Sequence, residues 1–192
     1  MTSPGLPPMS DPRAVDYLEP MTTQIDAPPI VPFSKFRDLT AGIHVAMLTT
    51  RRADGLLHSR PMGTRAIEAD GSLWFFTADD SGKVQEIYHD QMVNVSYLNP
   101  GDQVYVSVAG KASLSRDRAK MRELWTPVLK AWFTEGIDDP NLALIRVDIQ
   151  AIDYWEGPGK IVTLLKFAKS AVTGTPSQVG DHGKIVPPGK NL

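Results

Sequence analysis

Ten consecutive residues, Trp74-Phe75-Phe76-Thr77-Ala78-Asp79-Asp80-Ser81-Gly82-Lys83, carry the clearest chemical signal in the chain. An apolar run, a short polar stretch and then a lysine read as strand, loop and first helical turn. Unpaired N–H groups and the positive end of a helix make such a start a natural anion seat. Lys83 adds a cation there, and Thr77 and Ser81 add hydroxyl donors. Phosphate is the anion that this combination suits. Ordinary helix capping by Asp80 or Ser81, with Lys83 in solvent, is the commoner use of these residue types when the segment is taken alone. Asp79 and Asp80 also oppose a phosphate unless both point away from it.

A second segment, Ser59-Arg60-Pro61-Met62-Gly63-Thr64-Arg65, puts two arginines on a strand otherwise suited to burial. Side chains alternate along a strand, so the odd spacing sends Arg60 and Arg65 to opposite faces. One of them can then face a given pocket, and Arg60 is expected to reach the phosphate. Pro61 marks an edge or a bulge, where backbone groups stay free to meet a ligand. A surface ion pair with an Asp or Glu is the plain alternative for Arg60. Trp125, Trp132, Trp155 and Phe133 could cover a planar ring or simply fill the core. His44, His58, His89 and His182 show no ligand spacing, so no metal site is expected. The chain has no G-x-G-x-x-G, no Walker loop and no G-x-S-x-G elbow.

The elements that must position these segments follow from periodicity. Phe33, Phe36, Arg37 and Leu39 suit a short helix, with Pro32 near its first turn and Gly42 stopping it. His44–Thr50 reads as a strand, Arg52-Ala53-Asp54-Gly55 as a turn, and Leu57–Glu68 as a second strand. Asp70-Gly71 turns the chain into a third strand, Ser72–Ala78. Ser81–Asp90 switches to helical spacing, with Val84, Ile87 and Tyr88 on one stripe. Gln91–Leu98 and Gln103–Ser115 are strands joined by Asn99-Pro100-Gly101-Asp102. Arg116–Phe133 reads as a helix that Pro127 must break. Asn141–Trp155 is a last long strand and Pro158–Ser170 a closing helix. Short turns require antiparallel pairing, so the strands form a meander. Six such strands with both faces this apolar predict closure into a barrel, mainly β with flanking helices.

Composition bounds the rest. A chain of 192 residues with 42% apolar content can bury one core and fits one domain. A net charge of -2 gives no reason to expect nucleic acid or an anionic membrane as partner. The absence of cysteine excludes disulfides, thiolate catalysis and iron–sulfur ligation. Residues 1–32 are rich in proline and read as a flexible arm, and residues 171–192 as a C-terminal tail. Within that tail the apolar pair Ile185-Val186 could join a sheet edge. The domain itself spans residues 33–170. Met1–Ser10 lacks a basic n-region and an apolar h-region, which predicts no secretory signal. No run is long and apolar enough to span a bilayer, so the cytoplasm is the expected compartment.

Several short runs, taken in order, resemble a known family. They are Met47-Leu48-Thr49-Thr50, Ser59-Arg60-Pro61-Met62, Trp74-Phe75-Phe76-Thr77 with Ser81 and Lys83, Gln103-Val104, and Tyr154-Trp155-Glu156-Gly157. Over roughly Phe33–Ser170 the chain resembles the pyridoxamine 5′-phosphate oxidase-like family of FMN-binding split barrels, within it the general stress protein 26 branch. The resemblance implies an antiparallel six-stranded split β-barrel and a homodimer with FMN, or else FAD, at the subunit interface. It implies that Arg60, Pro61, Met62, Gly63, Thr64 and Arg65 line the flavin, with Arg60 and Lys83 near its phosphate. Phe76 and Thr77 would contact the isoalloxazine and ribityl region, with Ser81 beside them. Gln103 and Trp155 would approach from the partner subunit.

The same resemblance implies flavin-dependent oxidoreductase chemistry on an unidentified substrate, or a non-catalytic flavin carrier or sensor. Haem or deazaflavin is the alternative cofactor. The oxidase proper has an arginine beside its phosphate-binding lysine, and here that place is Gly82. It also follows its tryptophan with a stretch containing Arg-Leu-His, where this chain reads Gly157-Pro158-Gly159-Lys160-Ile161. These departures predict that pyridoxamine phosphate is not the substrate. No residue stands out as a general acid or base, so no catalytic residue is assigned.

Overall fold

The computed structural model describes residues 28–157 and 180–190. The closing helix expected over Pro158–Ser170 lies outside the described residues, as do residues 1–27 of the N-terminal arm and half of the C-terminal tail. Among the described residues there are eight strands: β1 Ile30–Val31, β2 Val45–Arg51, β3 Leu57–Ile67, β4 Ser72–Ala78, β5 Met92–Asn99, β6 Val104–Ser115, β7 Leu142–Glu156 and β8 Asp181–Ile185. Three helices accompany them: α1 Ser34–Thr40, α2 Gly82–His89 and α3 Arg118–Leu124.

Six strands close on themselves in the order β7-β4-β3-β2-β5-β6, and β6 pairs back onto β7. Every pairing around this ring is antiparallel. The fold is therefore the expected six-stranded split barrel with flanking helices. It departs from a simple meander at one place. After β4 the chain does not return beside it, because α2 crosses the barrel end and delivers β5 to β2. Eight helical residues span roughly 12 Å, enough for that crossing. The crossing matters for the site, since it sets the start of α2 beside the ends of β2, β3 and β4.

The barrel fills with inward residues at period two. Leu48, Phe75, Tyr97, Val95, Val108 and Ile145 are all fully buried. From α1, Phe36 docks edge-on against Tyr97, with ring centroids 5.8 Å apart. Tyr97 is the largest of these side chains and shares its hydroxyl with Thr64 at 3.1 Å. Burial pushes its phenol up from 10.0 to about 12, only partly offset by the Thr64 contact. A raised folded-state value means that the unfolded chain loses this proton first. The stabilisation is intact below about pH 10 and is lost as pH climbs to about 12. Two pH units correspond to about 2.7 kcal/mol. Tyr97→Phe should flatten the alkaline limb of the stability curve by that amount, read from urea unfolding across pH 9–12. An unchanged limb would remove Tyr97 from this account.

β4 is buried on both faces, which its run of aromatics anticipates. Leu73 and Phe75 enter the barrel, while Trp74 and Phe76 face outward into a second cluster with Met121, Leu129, Leu142 and Leu144. α3 and the 3-10 turn Pro127–Ala131 supply that cover. The break expected at Pro127 divides the Arg116–Phe133 segment into two shorter pieces. Asp117 caps the first through the N–H groups of Ala119 and Lys120, and Pro127 opens the second.

Two segments from the polar ends add strands. β7 is 15 residues long, and β4 covers only Leu142–Asp148. Its free edge beyond pairs Ile152–Glu156 with β8, and β1 then joins β8 in parallel. Ile185, from the apolar pair in the tail, is fully buried there. No helix among the described residues is long and apolar enough to cross a membrane.

Candidate functional site

A cavity of about 700 Å³ opens where the ends of β2, β3 and β4 meet α2 and the 3-10 turn. That volume is in the ordinary range for small-molecule and cofactor sites. Its described lining contains three cations, Arg60, Arg65 and Lys83, and no carboxylate. The same lining includes an apolar group, Val128, Leu129, Trp132 and Phe133. The cations suit an anion, and the apolar residues suit a flat apolar body.

The anion end is built from the loop after β4. Thr77 is buried, and its hydroxyl accepts from Lys83 Nζ at 3.1 Å and lies 3.2 Å from the Ser81 hydroxyl. Ser81 holds the N-cap position of α2 but makes no capping hydrogen bond through its side chain. The capping alternative therefore fails for this helix, and Ser81 turns toward Thr77 instead. Asp79 and Asp80, the two residues that would repel a phosphate, are engaged elsewhere. Asp79 accepts from Arg116 at 2.5 and 2.9 Å, and Asp80 from Asn141 Nδ2 at 2.8 Å. Half-burial, then the neighbouring charge of Arg60, holds the Lys83 ammonium below the usual lysine range, against the pull of Glu86 and Asp80.

Both arginines of β3 border this cavity, which corrects the expectation that only one could. They do leave opposite sides of the strand, but Arg60 lies at the barrel end beyond Met62. There it donates to Thr50 Oγ1 at 2.8 Å and to Glu86 Oε2 at 2.6 Å. Arg65 faces outward, where its Nη2 reaches Thr126 Oγ1 at 3.1 Å. It stands at a shift of register between β3 and β4, between Thr64 and Ala66. Its Nε is buried without a hydrogen-bond partner among the described residues. A buried donor left unmade is costly, so an orphan on a cavity wall points to a missing acceptor.

The other expected residues divide. Pro61, Met62, Gly63, Phe76 and Thr77 line the cavity with the three cations. Gly63 pairs with Val45 across the sheet, and open space lies where its Cβ would be. Thr64 does not reach the wall, because it turns into the barrel toward Tyr97. Ser81 stands one layer behind, through Thr77. Gln103 and Trp155 lie together in a separate cleft of about 280 Å³, away from the cations of the same chain. Gln103 has φ 57, a left-handed conformation uncommon for a side-chain-bearing residue. Its side chain occupies the space where a Cβ on Gly157 would sit, with Oε1 2.1 Å from that point.

Several lining residues escaped the sequence reading. Val45 is legible only through its register with Gly63, and His44 only as its neighbour. Trp132, one of the tryptophans considered for covering a ring, is 71% exposed at the cavity, whereas Trp125 belongs to the outer cluster. Nothing in local periodicity separates those two uses.

The chain is similar to known proteins. Residues 32–178 match the family described as pyridoxamine 5′-phosphate oxidase like. Protein bli-3 of Neurospora crassa is 35% identical over 151 residues, which is 73% of this chain and 72% of that protein. The general stress FMN/FAD binding protein of Xanthomonas citri superposes with a TM-score of 0.55 at 32% identity, over 64% of this chain and 86% of that one. General stress protein 26 of Bacillus anthracis gives 0.57 at 30% identity, over 63% and 91%. A family match over most of the barrel, with a cationic cavity at its end, leads to one conclusion: the chain belongs to the pyridoxamine 5′-phosphate oxidase-like family.

Proposed function

We propose that the protein binds FMN in this cavity and acts as a flavin-dependent oxidoreductase of the general stress type. The observation that carries the reading is the convergence of Lys83, Thr77, Arg60 and Arg65 on one cavity that is otherwise lined largely by apolar residues. The donor set fits a phosphate, and the orphaned Arg65 Nε fits an electron-rich acceptor farther along the ligand. When bound, the flavin would supply the redox chemistry. The protein's own part is to hold and orient. Lys83 and Arg60 would neutralise the phosphate, and Thr77 would add a hydroxyl beside it. Phe76 would form an apolar surface under the ring, and Trp132 would shield it from water. The described lining offers no carboxylate, and its lysine and threonine are the groups assigned to the phosphate, in keeping with chemistry supplied by the cofactor.

The reading extends to a homodimer. The outer face of β2, β3, β5 and β6 carries Thr49, Ser59, Asn94, Ser96 and Ser107, uncharged and bonded sideways to one another. Tyr105 and Trp155, paired across β6 and β7, stand 40% and 48% exposed at its border. A face polar but uncharged at these five positions and edged by exposed aromatics supports a second copy as its cover, with Gln103 and Trp155 meeting the partner's flavin.

The test is a titration of purified protein with FMN, FAD and haem, followed by absorbance and fluorescence. FMN should saturate at one per chain. A chain that stays colourless in millimolar FMN at low salt overturns the proposal. Reduction of the bound flavin by NAD(P)H above the free-flavin background supports the oxidoreductase. Its absence leaves the carrier.

A further inference from the structure

Four polar side chains meet where the barrel end joins α2. Glu86 lies one helical turn beyond Lys83 and does not line the cavity. Its Oε2 accepts from Arg60 Nη2 at 2.6 Å and from the hydroxyl of Thr50. Its Oε1 stands 3.4 Å from His58 Nδ1. Thr50 is 1% exposed, so the cluster is anchored in the barrel interior. Arg60 and Glu86 are 15% and 14% exposed, which separates this pair from the solvated ion pairs elsewhere on the surface. Burial alone would push the Glu86 carboxyl up, but hydrogen bonds from Thr50 and Arg60 outweigh it and hold it below the usual carboxylate range.

A guanidinium has five N–H donors in a rigid fork. Glu86 and Thr50 engage its two terminal nitrogens, which fixes the plane of the fork and leaves donors for a ligand. The carboxylate also offsets the repulsion between Arg60 and Lys83, two cations held at the same end of one cavity. We propose that Glu86 is the positioning residue of the phosphate seat, fixing the Arg60 guanidinium and allowing both cations to share that end. This inference rests on the flavin reading of the cavity and adds a residue to it. A carboxylate that merely competed with phosphate for Arg60 would have the opposite consequence, since its removal would tighten binding.

Paired titrations with FMN and riboflavin, which lacks the phosphate, separate these cases. Glu86→Gln keeps an acceptor for Arg60 and should bind FMN at least as well as the parent. Glu86→Ala releases the guanidinium and should weaken FMN by roughly 10- to 100-fold, the range seen when an orienting partner is lost from metal sites. Glu86→Asp, with its carboxylate withdrawn, serves if the alanine variant does not fold, and should also weaken FMN. Riboflavin affinity should be the same in all four proteins. An Ala or Asp variant that binds FMN as tightly as the parent overturns the proposal, and so does a parallel loss of FMN and riboflavin. A parent that takes up neither flavin overturns the reading of the cavity, and inorganic phosphate then becomes the probe. Protection of the parent by phosphate against thermal unfolding, lost in the Ala or Asp variant, would uphold Glu86. No protection of the parent would overturn it as well.

Discussion

Replacing Lys83 by methionine should weaken FMN uptake by roughly 10- to 150-fold and leave the protein as stable as before, or more so. The two halves of that expectation have one physical origin. A charge-assisted hydrogen bond is worth about 1.5–3 kcal/mol, which sets the loss in affinity. The same ammonium is unfavourable in the protein alone, because half-burial and then Arg60 hold it below the usual lysine range. A lysine depressed on folding subtracts stability wherever the unfolded chain keeps it charged, and neutral pH lies in that range. Methionine fills similar space without the charge. Thr77 keeps the Ser81 hydroxyl at 3.2 Å as a partner, so no polar group is stranded. The check is an FMN titration beside a urea melt of the protein without flavin. A variant that loses stability and keeps its flavin affinity would assign Lys83 a structural role and move the phosphate elsewhere.

That separation explains what the sequence could disclose. The strands were legible because inward residues recur at period two and Asp-Gly pairs punctuate them, as at Asp54-Gly55 and Asp70-Gly71. Barrel closure was legible from β4, whose unbroken run Leu73 to Thr77 needs a buried surface on each side. The meeting of Thr77, Ser81 and Lys83 was legible because strand end, hydroxyls and lysine lie within ten residues of one another. Glu86 and Thr50 were not. Their meeting with Arg60 depends on α2 crossing the barrel end, a fact of topology that no local pattern encodes. The two arginines show the same limit in another form. Alternation assigned them correctly to opposite sides of β3, yet both border one cavity, a convergence that alternation alone does not show. The apolar wall was the least legible part. Trp125, Trp132 and Phe133 look alike in sequence, and only their positions around the 3-10 turn decide which face the cavity.

Phe76 joins that wall to the fold, and Phe76→Ala should lower stability by about 3–5 kcal/mol, the cost of emptying a large buried aromatic site. Its ring is 6% exposed and meets Trp125 edge-on at 5.6 Å and Phe133 at 6.2 Å. Those two residues flank the 3-10 turn that carries Val128, Leu129 and Trp132 to the cavity. Removing Phe76 therefore takes away the surface on which the turn rests, together with one side of the cavity itself. The loss should be blind to phosphate, with FMN and riboflavin weakened alike. Phe76→Leu keeps most of the apolar volume and should cost about 1.5 kcal/mol or less. Urea melts followed by tryptophan fluorescence measure the first effect, and paired flavin titrations the second. Lys83 and Glu86 variants that spare riboflavin, beside a Phe76 variant that does not, would divide the cavity into an anionic seat and an apolar bed. If Phe76→Ala weakens only FMN, the ring of the flavin does not lie where the outer face of β4 and the 3-10 turn would hold it.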